Sequence, residues 1–205
     1  MRRSRYLIFL ICLAACGSAE QRTRQVAWTD TLRVELLRRV AEDQTVRERF
    51  AEVFRAGTVP DSALIAALQA TDSSNTLWLR NVVARHGWPD RDAIGPDGAS
   101  AAFLIVQHAD RDTAFQAEML VALAAAFERD QADGQSIALL TDRVAVARGE
   151  PQPYGTQTTI TDGRIVLRPV ADSANVDAKR ATMGLPPLRE YLRVLDSVYL
   201  GRATP

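Results

Sequence analysis

Ala99-Ser100-Ala101-Ala102-Phe103-Leu104-Ile105-Val106-Gln107-His108-Ala109 is of helix length and almost wholly apolar. A helix that is hydrophobic around its whole circumference has no face to offer water and belongs at the centre of a packed body. The elements around it are then expected to be amphipathic. Polarity returns only at its C-terminal end, with Gln107, His108 and Asp110.

On the C-terminal side, residues 112–129 and 135–148 carry Ala and Leu at helical density. On the N-terminal side, Gly95-Pro96-Asp97-Gly98 reads as a turn, with Trp88-Pro89 before it. A first helix is expected from Thr29 or Asp30, with Leu32, Leu36, Val40, Phe50 and Phe54 at helical spacing and Gly57 as its stop. Pro60 and Asp61 open a second, shorter helix through Leu64 and Leu68, and a third covers residues 73–86 and ends at Gly87.

Composition changes abruptly at Pro151, Pro153 and Gly155. The run 157–161 meets 164–167 across Asp162-Gly163, and two β-prone runs joined by Asp-Gly are the strongest short-range hairpin signal. Helix resumes over 175–183, stopped by Gly184, and over 188–199. The fold class is therefore mainly α: a single helical domain, residues 29–205, with one late β-hairpin near 157–168.

The chain's first residues carry an address. Arg2, Arg3 and Arg5 precede an apolar run from Tyr6 to Leu13, which is too short for the roughly 20 residues that a membrane span needs. A basic end, a short apolar stretch and small residues read as a secretory signal. Ending on Leu13-Ala14-Ala15-Cys16, it resembles the bacterial lipoprotein signal. The resemblance implies a signal peptide over 1–15, a lipidated (palmitate-bearing) Cys16 as the new N-terminus, and a polar tether over 16–28. Gly17 and Ser18 do not resemble the Asp-type signal that retains lipoproteins at the inner membrane. The expected place is the cell envelope, on the periplasmic face of the outer membrane if the cell has two.

Removal of residues 1–15 would leave roughly 190 residues, a comfortable size for one domain. Acidic and basic residues balance at 25 each over the whole chain, so losing three Arg makes the remainder mildly acidic. That lacks the electrostatic footprint of a nucleic-acid binder. Cys12 and Cys16 are the two cysteines, so the domain has no thiol nucleophile, disulfide or Cys-ligated metal. His86 and His108 are the two histidines, without a His-Glu-x-x-His pattern, and no metal site is expected. No Gly-x-Ser-x-Gly elbow, Gly-x-Gly-x-x-Gly or Gly-x-x-x-x-Gly-Lys occurs. No cofactor is implied.

Several stretches together carry a family resemblance: Asp43-Gln44 with Arg47; Gly87-Trp88-Pro89; Gln107-His108-Ala109-Asp110; Asp142-Arg143-Val144 with residues 149–157; and Asn175-Val176-Asp177 with Arg180 and Gly184-Leu185. Their order and spacing resemble the bacterial domain-of-unknown-function family numbered 6624, from about Leu32 to Leu192. That resemblance implies a fold and brings no activity.

Among the polar residues, His108 is the candidate for chemistry, since general acid–base catalysis needs an imidazole whose tautomer a carboxylate fixes. Asp110 is the expected partner and Asp142 the alternative. A His that only caps or bridges helix ends is the competing reading, because a buried polar group needs partners whatever its purpose. Gln107, Arg143, Tyr154, Thr156 and Gln157 are candidate ligand-binding residues, on a loop that leaves a helix for a hairpin. If that loop closes over His108, the two make one polar pocket lined by Trp88 and Phe103. Asp142 and Arg143 make either a carboxylate clamp or an internal salt bridge. Asp43, Gln44 and Arg47 share a helix face, either solvated or anchoring the same cluster. Asp177 and Arg180 are expected to steady the penultimate helix.

These readings describe a lipid-anchored envelope protein that binds a small ligand or an envelope protein. The alternatives are a His108-dependent hydrolase or lyase and a structural lipoprotein.

Overall fold

A computed structural model describes residues 26–201. The signal segment, Cys16 and nearly all of the tether lie outside the described residues.

Helix α1 (Asp30–Arg55) starts where the Thr29 hydroxyl accepts from the Leu32 N–H at 3.3 Å. Helix α2 (Ser62–His86) starts where Asp61 accepts from Leu64 N–H at 2.7 Å. After α3 (Arg91–Gln107), Asp112 caps α4 (Thr113–Phe127) and Asp133 caps α5 (Gly134–Ala147) in the same way. Each cap satisfies an N–H that has no partner inside its helix, and is worth about 1 kcal/mol. The hairpin β1 (Thr158–Thr161) and β2 (Arg164–Leu167) follows, then α6 (Val176–Thr182) and α7 (Leu188–Leu200). None of these helices is long and apolar enough to cross a membrane.

The apolar segment 99–109 is the centre. Ala101, Ala102, Phe103, Ile105 and Val106 are buried, and α3 packs against α1, α2, α4 and α5. Leu36, Leu79, Phe115, Met119, Leu123, Leu140 and Val144 complete the core around it. The turn at Gly95 lies within α3, where Gly95 leaves helical geometry at φ 76° and Pro96 restarts it.

One expectation is corrected. Residues 62–86 form one helix, not two. The polar run Asp72-Ser73-Ser74-Asn75 reads as a break, yet α1 supplies its partners. Arg39 Nη1 donates to Ser74 Oγ at 3.3 Å and to Asn75 Oδ1 at 3.2 Å, and Arg47 pairs with Asp72. Tertiary contacts here override a locally weak helix former.

The hairpin is antiparallel, with Thr161 opposite Arg164 and Ile160 opposite Ile165. Asp162 (φ 50°) and Gly163 (φ 65°) are both left-handed, as a two-residue type I′ turn demands. Gln152, fully buried, locks its base: Nε2 donates to the carbonyls of Gln157 and Arg168, both at 2.9 Å, and Oε1 accepts from Gln157 N–H at 2.7 Å. Helix α6 ends against the start of α5 so closely that a Cβ on Gly134 would fall 2.7 Å from the Met183 carbonyl oxygen.

Candidate functional site

His108 stands where α3 stops, with its ring turned toward α1 and α2. Its Nδ1 lies 2.9 Å from Oδ2 of Asp43, whose side chain is 2 % exposed. The distance is that of a hydrogen bond, although the ring N–H approaches off the ideal line. Gln44 Nε2 donates to the same Oδ2 at 2.9 Å, and Arg47 Nε reaches both carboxylate oxygens at 3.1 and 3.2 Å. The other end of the Arg47 guanidinium pairs with Asp72 on α2. Asp43, Gln44 and Arg47 thus form the anchor of the polar cluster rather than a solvated face.

The two carboxyls have opposite electrostatics. Burial pushes Asp43 up, but the hydrogen bond and charge of His108, then the charge of Arg47 and the amide of Gln44, outweigh it and hold the group below its ordinary value. Burial likewise pushes Asp72 up; there the charges of Arg47 and His108 only partly offset it, Asp43 adds to the rise, and Asp72 stays above its ordinary value. Neighbouring titratable groups driven apart in this way are what acid–base sites contain.

A cavity of about 220 Å³ opens on this cluster, lined by Asp72, Ser73, Thr76, Arg80, His108 and Arg111, among others. Arg80 is engaged by Asp112 at 2.6 Å and lies 4.6 Å over the Phe115 ring. Arg111 donates to Gln69 at 3.3 Å and, among the described residues, pairs with no carboxylate.

Asp43, Asp72 and His108 also offer three ligand atoms within 4.8 Å of one another. A tetrahedral zinc at about 2.0–2.1 Å from each ligand sets them roughly 3.4 Å apart. Arg47 meanwhile occupies both carboxylates. A cation there would have to displace the guanidinium and draw the side chains inward. His86 is far from this cluster: its Nδ1 lies 2.9 Å from the Val26 carbonyl oxygen, and its ring packs on Trp28.

The expected partners of His108 are engaged elsewhere. Asp110 Oδ1 accepts from Arg143 Nη1 at 2.6 Å and from Gln116 Nε2 at 3.2 Å. Asp142 is buried and accepts from the backbone N–H of Tyr154 at 2.8 Å and of Thr156 at 2.7 Å, which fixes the loop. Burial raises its carboxyl despite those bonds. Arg143 therefore makes an internal salt bridge with Asp110, not a clamp with Asp142. Arg180 is fully buried. Rather than steadying α6 through Asp177, it donates to the carbonyls of Tyr154 and Pro186, both at 2.7 Å, while Asp177 accepts from Leu188 N–H.

The loop does not close over His108, and the expected single pocket is two. Gln107, Arg143, Thr156 and Gln157 line a separate cleft of about 270 Å³ beside the hairpin and α7. Tyr154 lies outside it, and Trp88 and Phe103 border a third, minute void. The cause is helical geometry: consecutive residues project about 100° apart. Gln107 therefore faces α5 and the hairpin while His108 faces α1 and α2.

Asp72 had no sequence signal beyond its place in a polar run. Asp43 had one, the i, i+4 spacing to Arg47 within a family-like stretch. The model of a family described as "Family of unknown function (DUF6624)" matches residues 30–203. No curated protein and no solved structure matches the chain.

Proposed function

We propose, for a chain that belongs to the family of unknown function DUF6624, that it is a lipid-anchored cell-envelope hydrolase or lyase whose general acid–base is His108. The carrying observation is the position of His108, with one ring nitrogen on a buried carboxylate and the ring lining an open cavity. The envelope anchor rests on the lipoprotein-like signal ending at Cys16.

Asp43 favours the tautomer with its proton on Nδ1, which leaves Nε2 as the base. As Nε2 takes a proton from water or from substrate, the imidazolium that forms is stabilised by Asp43, whose own charge is fixed by Arg47 and Gln44. His108 then returns the proton to the leaving group. Asp72, at the cavity wall and paired with Arg47, is placed to accept or relay a second proton. Arg111 at the rim favours a substrate that carries an anionic group.

The test is a screen of the full chain against nitrophenyl esters, phosphates and amides. Turnover of one class is expected, falling at least about 100-fold in His108→Ala, the usual scale of a general acid–base contribution. No turnover of any class, or equal turnover by the variant, removes this reading.

A further inference from the structure

The cavity at His108 is a trough between two walls. One is α2, where Asp72, Thr76 and Arg80 follow one another at i, i+4 and i+8 and so form a stripe about 12 Å long. The other is the connection from α3 to α4, which supplies His108, Ala109, Arg111 and Asp112. His108 and Asp72 stand at one end, their ligand atoms within 4.8 Å of each other. Arg80 and Asp112 close the other end at 2.6 Å.

The two arginines of the trough differ in what they face. Arg80 is neutralised by Asp112 and by Glu118 at 3.8 Å. Arg111 reaches across the mouth to α2, where Nη1 donates to Gln69 Oε1 at 3.3 Å, a long bond to a neutral amide. Gln69 lies one turn before Asp72 and Ser73, so the guanidinium sits at the His108 end. Among the described residues, Arg111 is the cation of this trough that no carboxylate balances.

Between the ends the trough offers one apolar contact and one hydrogen-bonding contact. Leu77 is an apolar side chain left 62 % exposed at the rim. Thr76 is 9 % exposed, and its hydroxyl bonds to no other described residue. A cavity of about 150 Å³ holds a benzene ring, so one of about 220 Å³ admits a body of about eight or nine non-hydrogen atoms.

We infer that this cavity takes a small monoanion whose charge rests on Arg111, with a carbonyl over Thr76 and a short apolar group on Leu77. A second negative charge would face Asp72 and Asp112 in the walls, so a monoanion is selected over a dianion. An N-acylamino acid is the simplest compound with these three parts. Placing its scissile amide at the imidazole rests on the acid–base reading above; the selection by charge does not. Water would add across the amide, the C–N bond would break, and the proton that His108 takes from water would pass to the leaving nitrogen.

The test is ligand-observed NMR titration of the full chain at pH 8 with three compounds of nearly equal size. They are N-acetylglycine, the neutral N-acetylglycinamide, and acetamidomethylphosphonate, which is mainly a dianion. Saturable binding of N-acetylglycine is expected, about three- to fivefold tighter than of either relative, the upper scale of an exposed ion pair. High salt should shrink that preference. Arg111→Gln should remove it, and so should Gln69→Glu, which gives Arg111 an internal carboxylate. Both positions are exposed, so neither substitution touches the core. Equal or tighter binding of the neutral amide or of the phosphonate overturns the proposal. So does absence of saturable binding, or an unchanged preference in both variants. Acetate release, followed in the same spectra, judges catalysis separately. Preference without release upholds the anion site and shows that this amide is not hydrolysed; release without preference overturns the anion site and upholds the catalyst.

Discussion

Asp43, midway along α1, and His108, at the end of α3, meet with Oδ2 2.9 Å from Nδ1 across the interface of two packed helices. The carboxylate is the buried member and the imidazole the one that lines a cavity. That asymmetry makes the pair an oriented dyad rather than a surface ion pair. It also divides the labour: Asp43 holds structure and tautomer, and His108 faces whatever enters.

The two residues should therefore respond differently to removal. His108→Ala leaves Asp43 still paired with Arg47 and Gln44, so its midpoint should drop by only a few degrees. Asp43→Ala leaves Arg47 with Asp72 alone and His108 without its carboxylate, beside a buried void. Breaking a buried pair costs about 3–5 kcal/mol, and at about 2–4 °C per kcal/mol that is on the order of 10 °C. Scanning calorimetry of both variants checks the order; a larger fall for His108→Ala would make the histidine chiefly structural.

Acid should act through Asp43. Its folded-state value lies below the unfolded one, so the ionised group stabilises the fold above the unfolded value of about 3.9, and this contribution is lost as pH falls through the lower folded value. Asp72 carries the opposite sign: its folded value is raised, so its ionisation as pH rises above about 4 weakens the fold. Urea denaturation between pH 2 and 7 should show the advantage of the parent chain over Asp43→Asn closing below about pH 4. Over Asp72→Asn, any advantage should shrink as pH rises. Parallel curves would refute the assignment.

Arg47 fills the place of a cation between Asp43 and Asp72. Arg47→Ala should leave two carboxylates and an imidazole without that charge, in a space that a divalent ion can share. Zinc or manganese should raise the midpoint of the variant, reversibly with chelator, and leave the parent chain nearly unchanged. An equal metal response in the parent chain would show that the guanidinium gives way.

Gly134 tests the packing that holds the C-terminal helices. A methyl there must push the Met183 backbone, which cannot rotate aside as a side chain does. Gly134→Ala should cost about 1–3 kcal/mol, despite the better helix propensity of alanine. A stabilised variant would show that α6 shifts without resistance.

Features that depend on short range were legible in the residues alone. Thr29, Asp112 and the Asp162-Gly163 turn mark element ends because a cap or a left-handed turn is a property of a few adjacent residues. The apolar run before Gln107 placed α3 at the centre because a helix without a polar face has nowhere else to go. Packing alone decided the rest. The helix α2 continues through Asp72 to Asn75 because Arg39 and Arg47 on α1 satisfy it. His108 takes Asp43, not the nearby Asp110, because the end of α3 turns its ring toward α1 while Arg143 on α5 holds Asp110. Two cavities stand where one was expected because neighbouring residues on a helix point in different directions. Partners far apart in the chain are chosen by how helices pack, and no local pattern encodes that choice.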